Sequence, residues 1–297
     1  MLLCGDCTLM TNERPLQCII FGLTARLIWQ EKKSPLIIQN DRLIHECYPN
    51  QFYLNIPSVA HFLALPEENC ILIEKAKSEI PIHVLNTWLF STVMAYMLQY
   101  HGYLVLHGAA ILINDNAVIF SGQSGAGKST LASAFTQKGY SFITDDLVVI
   151  KQNHDGQYCI LPGPAKLKLW KDALQHFNHD ITTASPVNLK TDKYALPVDN
   201  CCSEPMIPIS AFYELNLDQE ATIYNCDKLN STQSLKTLMQ NAYRHFMLKP
   251  LGKLQSFFHD CSALSQEITV HKLIRTSDFH ELPDIIRHIE LNQGIQS

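Results

Sequence analysis

The sequence has no apolar run long enough to cross a bilayer. Its most apolar stretch, Trp88 to Leu98 (WLFSTVMAYML), falls short of the roughly 20 residues a spanning helix needs. The opening MLLCGDC has neither a basic start nor a long apolar segment, so it does not read as a secretory leader. These absences predict a cytoplasmic protein with no membrane partner. Positive charge is not in excess either: 23 Lys and Arg stand against 28 Asp and Glu, a formal net charge of -5, which argues against nucleic acid as a partner. Ten cysteines are scattered without regular spacing, and a long chain with no leader reads them as reduced thiols rather than a disulfide framework. Cys4-Gly-Asp-Cys7 has no second C-x-x-C to complete a tetrahedral zinc site, and the adjacent Cys201-Cys202 suggests none.

What is present is 297 residues, 46% hydrophobic and 17% charged, enough for one large domain or two smaller ones. Residues 1–80 carry short strand-like runs (CIIFGL from Cys18, ARLIW from Ala25, PLIIQ from Pro35, QFYLNI from Gln51, CILIE from Cys70) separated by turn residues, which predicts a β-rich amino-terminal module. Apolar residues at helical spacing predict a connecting helix over 81–100, packed between that module and a core of residues 101–297.

The core is organised around Gly122 to Ser129, GQSGAGKS, which fits G-x-x-x-x-G-K-[ST]. The β-branched run Ala117 to Phe120 precedes it and Thr130 to Lys138, ended by Gly139, follows as a helix, so strand, loop and helix stand in the required order. This phosphate cradle is built from Gly122, Ser124, Gly125, Ala126, Gly127, Lys128, Ser129 and Thr130. Its backbone amides and helix start attract anionic phosphate, Lys128 reaches the terminal phosphates, and the Ser129 hydroxyl ligates Mg²⁺. ATP and Mg²⁺ are therefore the expected ligands.

Sixteen residues beyond Ser129 stand Asp145 and Asp146, after the strand-like Tyr140 to Thr144. A right-handed strand-helix-strand unit brings such a strand end to the cradle's edge, where one carboxylate can hold Mg²⁺ and the other accept a hydroxyl proton. Asn114-Asp115-Asn116 predicts a hairpin between AAILI and AVIF, and Asn153 to Gly156 another, so the sheet is expected to be mixed.

LHGAAILINDNAVIFSGQSGAGKST and GYSFITDDLVVI resemble the catalytic core of HPr kinase and its relatives, P-loop phosphotransferases that are also similar to phosphoenolpyruvate carboxykinase in their nucleotide site. The resemblance is strong from His107 to Ile150 and weaker in PGPAKLKLWKDAL from Pro162, LKTDKYALPV from Leu189 and PISAFYELN from Pro208. It implies an α/β P-loop kinase core with a mixed sheet beside the β-rich module. It also implies an active site of His107, Gly108, Lys128, Ser129 and the Asp pair, with Asp146 as base and Asp145 on the metal side with Ser129. The chain lacks the Arg-Gly-Leu-Gly signature of true HPr kinases and their sensor domain. The resemblance therefore extends to short relatives that phosphorylate a serine of a ribosomal precursor peptide in lasso peptide pathways, and the implied acceptor is a serine of a peptide or small protein.

Other readings are weaker. Arg244, in the amphipathic helix expected over Ser231 to Phe246, is a candidate charge clamp for phosphoryl transfer, against the plainer reading of a surface arginine. The lysines of Pro162 to Lys171, with Lys190 and Lys193, could dock phosphate or acceptor, although a solvated face is the commoner use of such a stretch. Residues 178–206 are expected to form a polar loop, and EITVHKLI from Glu267 and a helix from Leu282 to close the fold without offering chemistry. A nucleotide-dependent regulatory module and a kinase of a small hydroxylated metabolite are the rival functions. A homo-oligomer is compatible with the sequence.

Overall fold

A computed structural model describes residues 16–21, 23–29, 43–187 and 191–296. Cys4, Cys7, Lys190 and the run from Pro35 lie outside the described residues. The chain divides into two compact units, Met1–Tyr103 with Arg244–Ser256, and Leu104–Tyr243 with Phe257–Ser297.

The first unit is a six-stranded sheet of β1 (Leu16–Ile20), β2 (Leu23–Trp29), β3 (Ile44–Cys47), β4 (Phe52–Ile56), β5 (Ala60–Leu65) and β6 (Cys70–Lys75), in the order β1-β2-β6-β5-β4-β3. β2 and β6 run parallel, and the other neighbours are antiparallel. β5 shows why this sequence makes a sheet: Ala60, Phe62 and Ala64 are buried while His61, Leu63 and Leu65 are only partly so, the period of two that a pleated strand imposes. The apolar segment after the sheet forms α1 (Ile82–Trp88), a five-residue π-helical turn (Leu89–Val93) and α2 (Met94–Tyr100). It falls within the first compact unit. Tyr96 stacks on Phe52 with ring centroids 5.2 Å apart and donates its hydroxyl to the Tyr48 carbonyl at 2.8 Å. Among the described residues no helix is long and apolar enough to cross a membrane.

The second unit begins with β7 (Leu104–Ile113), β8 (Asn116–Gly122), α3 (Lys128–Gln137), β9 (Phe142–Gln152) and β10 (Tyr158–Leu161). It continues through β11 (Lys166–Trp170), α4 (Lys171–His176), β12 (Ser185–Pro186), β13 (Lys193–Pro197), β14 (Ile207–Leu217), β15 (Asn225–Lys228) and α5 (Ser231–Gln240). From Phe257 on, α6 (Leu254–Glu267) belongs here, followed by β16 (Thr269–Arg275) and α7 (Leu282–Asn292). The large sheet has the order β10-β9-β7-β8-β14-β16-β15, and β10 also pairs with the start of β14, so five of its strands close into a ring. β8, β14 and β16 are parallel and the remaining pairs antiparallel, the mixed sheet expected. Asn114 and Asp115, both at positive φ (49° and 58°), make the tight turn between β7 and β8, a conformation that short polar side chains tolerate.

Three sequence expectations differ from the structure. Asp145 and Asp146 do not end a strand: β9 runs through them, because antiparallel pairing with the long β7 carries it six residues further. The stretch 178–206 is not one loop, since β12 and β13 pair with β11 in a small separate sheet. The helix from Ser231 stops at Gln240, six residues early. Asn230 caps its start, its side chain accepting from the Gln233 amide at 3.0 Å while the Gln233 side chain accepts from the Asn230 amide at 3.1 Å.

Candidate active site

The register of three neighbouring strands builds the site. Gly108 of β7 pairs with Ser121 of β8 on one side and with Asp146 of β9 on the other, so the loop leaving β8 starts level with the acid pair. The two carboxylates therefore reach the cradle's edge through cross-strand alignment rather than by standing at a strand end.

The loop geometry requires glycine at two points. Gly122 has φ 122°, and any side chain there would run into the carbonyl of Leu215 on β14. Gly127, at φ 96°, caps α3, and a side chain there would meet the guanidinium of Arg275. Buried Ala126 turns back through its amide to the Gln123 carbonyl at 3.1 Å. Ser124, Gly125, Gly127, Lys128, Ser129 and Thr130 all line one cleft.

Lys128 is 7% exposed and donates to the carbonyls of Gly122 at 3.0 Å and Gln123 at 2.9 Å. Burial pushes its pKa down to about 8 against the pull of Asp145, and Lys193 adds to the drop. The ammonium is thus held on the loop at the mouth of the cradle, poised to turn to phosphate oxygens.

The Ser129 hydroxyl donates to Oδ1 of Asp145 at 2.9 Å, and the amide of Lys168 donates to Oδ2 at 2.8 Å. Mg²⁺ takes few protein ligands and completes its shell with phosphate and water oxygens. Two hard oxygen donors side by side at the first turn of α3 fit that pattern. Among the described residues no cluster of three or more His, Cys, Asp or Glu is arranged to hold a metal by itself.

Asp146 has φ 78°, outside strand geometry, and this turns its carbonyl and carboxylate onto the same neighbour. His107 Nδ1 lies 3.1 Å from the Asp146 carbonyl and 3.6 Å from its Oδ1. A carbonyl only accepts, so Nδ1 carries the proton and Nε2 of a neutral ring keeps its lone pair. Burial lowers the His107 pKa, helped by Lys128 and opposed by Asp146, so the ring is neutral at neutral pH. The other oxygen of Asp146 pairs with the Lys168 ammonium at 2.8 Å. Burial works to raise the Asp146 pKa, but Lys168 and His107 outweigh it and hold the carboxyl well below the usual range. Burial likewise works to lower Lys168, and Asp146 outweighs it, leaving the lysine's pKa raised.

Of the residues singled out from sequence, the structure brings His107, Lys128, Ser129, Asp145 and Asp146 together with the loop. Arg244 is not among the residues lining the cleft; it is grouped with the amino-terminal unit and is exposed at φ 51° ahead of a short 3₁₀ turn. The arginine that does line the cleft is Arg275, the last residue of β16, 4% exposed, in a segment whose sequence suggested no chemistry.

Lys168 is not on a solvated face. β11 buries Leu167 and Leu169, and the alternation turns Lys168 and Trp170 together into the cleft. The period of two in KLKLW separates Lys168 from the leucines but not from the exposed Lys166 on the same face, so alternation alone could not single it out. Asn241 had no signal at all. Its side-chain oxygen accepts from Ser121 Oγ (2.8 Å) and the Gly122 amide (3.1 Å), its nitrogen donates to Glu214 (3.1 Å), and its carbonyl accepts from the His107 amide (2.8 Å). One buried amide thus ties the start of the loop to the histidine strand.

Comparison with known proteins gives three findings. A family model described as SynChlorMet cassette protein ScmC matches residues 68–191, a stretch containing the loop, both aspartates and Lys168. Among solved structures, the HPr(Ser) kinase/phosphatase from Coxiella burnetii is similar at 14% identity and a TM-score of 0.32, over 64% of this chain and 90% of that one. A search of curated proteins finds no match.

Proposed function

We propose that the chain is an ATP-dependent kinase that transfers the γ-phosphoryl group to a serine hydroxyl of a peptide or small protein. The observation that carries this is the single cleft in which Lys128 and Ser129 face Asp145, and Asp146 is held between His107 and Lys168. Lys128 and the loop amides bind the phosphates, and Ser129 with Asp145 holds Mg²⁺. When bound, Mg²⁺ neutralises charge on the phosphate oxygens.

The serine oxygen attacks the γ-phosphorus, the bond to the β–γ bridging oxygen breaks, ADP leaves with that electron pair, and the hydroxyl proton passes to Asp146. A carboxylate with a lowered pKa is a weak base, yet it suffices here. In a loose transition state the proton leaves late, once bonding to phosphorus has made the hydroxyl acidic. Lys168, already on Asp146, lies where it can share its charge with the incoming phosphoryl group. The serine-peptide acceptor is supported by the motif resemblance to short HPr kinase-like proteins.

Incubating the protein and its Asp146→Asn variant with ATP, Mg²⁺ and a cell peptide extract, followed by intact mass spectrometry, tests the reading. A phosphoryl-sized gain on a serine peptide is expected with the natural protein alone. ATP consumption with no labelled product would instead indicate a nucleotide-driven module.

A further inference from the structure

The cradle has two flanks, and they differ in chemistry. On the β7–β9 side stand His107, Asp145, Asp146 and Lys168, and beyond them Trp170 sits among Asp172 and Lys193. On the β14–β16 side the two last strand residues, Leu217 and Arg275, are paired neighbours, with Phe279 just beyond. Leu217 is an apolar side chain left 43% exposed at the cleft. Phe279 is half-buried, one face stacked on His176 at 4.4 Å.

Arg275 stands beside Leu217 on this second flank. It is 4% exposed, its Nε donates to the Thr276 carbonyl at 3.0 Å, and among the described residues it forms no ion pair, while the end of its guanidinium sits against Gly127 of the loop. The Glu281 carboxylate, held by the Thr276 amide and hydroxyl, acts on Arg275 only from beyond ion-pair distance, so a buried guanidinium aimed into a phosphate cradle is left as a preformed anion contact.

We infer that the nucleoside of the bound nucleotide lies on the Leu217–Phe279 flank, with Arg275 on the phosphate nearest the ribose. This rests on the kinase reading, since the reacting end of the triphosphate must lie toward Ser129, Asp145 and Asp146 on the opposite side. A flat base gains from covering the apolar Leu217 and Phe279, whereas the exposed Trp170 stands on the strand of Lys168, between Asp172 and Lys193 and toward the reacting end. The flank bearing Lys168 and Trp170 is thereby left open to the acceptor.

Calorimetric titration of the full chain with ATP and, separately, with inorganic tripolyphosphate tests this, because the second ligand has the phosphates without the nucleoside. Leu217→Ser, at an exposed position, is expected to weaken ATP about fivefold and leave tripolyphosphate within about twofold. Arg275→Gln weakens both about tenfold, as a phosphate contact would. Trp170→Ala leaves ATP within about twofold.

Unchanged ATP affinity in Leu217→Ser, equal loss of both ligands in that variant, or selective loss of ATP in Trp170→Ala would overturn the placement. Unchanged affinities in Arg275→Gln would overturn the role of the arginine. The kinase reading fails separately, if the natural protein binds ATP by this pattern and transfers nothing. A natural protein that binds neither ligand overturns both.

Discussion

The buried ammonium of Lys128 should make the stability of the free protein rise with pH while its affinity for ATP falls. An unfolded lysine keeps its proton to 10.5, and the folded one releases it at about 8, with burial as the leading cause. Between those values the unfolded chain binds more protons, so stability increases as pH rises and the cost of burying the charge is present in full below about 8. At about 1.36 kcal/mol per pH unit, the drop corresponds to about 3 kcal/mol. Urea unfolding of the natural protein and of Lys128→Met at about pH 7 and about pH 10 isolates the effect, since other titrating groups cancel in the difference. The natural protein is expected to gain about 3 kcal/mol relative to the variant over that interval. Saturating ATP, by giving the ammonium phosphate partners, should abolish most of the gain. Stability curves that run parallel from about pH 7 to about pH 10 would refute the reasoning.

Other outcomes follow from the same contacts. Asp146→Asn and Lys168→Met, each stranding a partner that is about one-fifth exposed, should each cost about 2 kcal/mol, and the double variant less than their sum, in a thermal-unfolding cycle. Because the Asp146 pKa is lowered, the pair's contribution is present above the ordinary carboxylate value of about 3.9 and lost as pH falls below it, which acid titration of Asp146→Asn against the natural protein checks. Asn241→Ala should cost about 2–3 kcal/mol and weaken ATP binding, and Asn241→Asp should do worse by setting a carboxylate against Glu214, both read by unfolding and nucleotide titration. Gly122→Ala, forced into φ 122° and against the Leu215 carbonyl, should cost about 3 kcal/mol or more, whereas Gly125→Ala, at φ 89° with open space around it, should cost about 1 kcal/mol.

The sequence made legible what depends on local chemistry. The loop motif, the helix after it and the turn at Asn114-Asp115 each follow from residues whose backbone preferences are strong, and all are where they were expected. What could not be read is what long-range register decides. Nothing local in TDDLVVI says that β9 pairs with β7 through both aspartates, because the antiparallel partner lies some forty residues earlier. Strands β3 and β5 escaped because IHEC and AHFLAL carry weak β-branched content and gain their place only through sheet neighbours. At the site, Lys168 was visible but its face was not, Arg275 looked like the end of an ordinary strand, and Asn241 draws its role from partners on three separate elements.

The most direct test of the central claim is the fate of the γ-phosphoryl group. With γ-labelled ATP, Mg²⁺ and the peptide extract, the natural protein should move label onto a serine-containing peptide, and Asp146→Asn should bind nucleotide while moving almost none. Label released only as inorganic phosphate, or transferred equally well by Asp146→Asn, would contradict it.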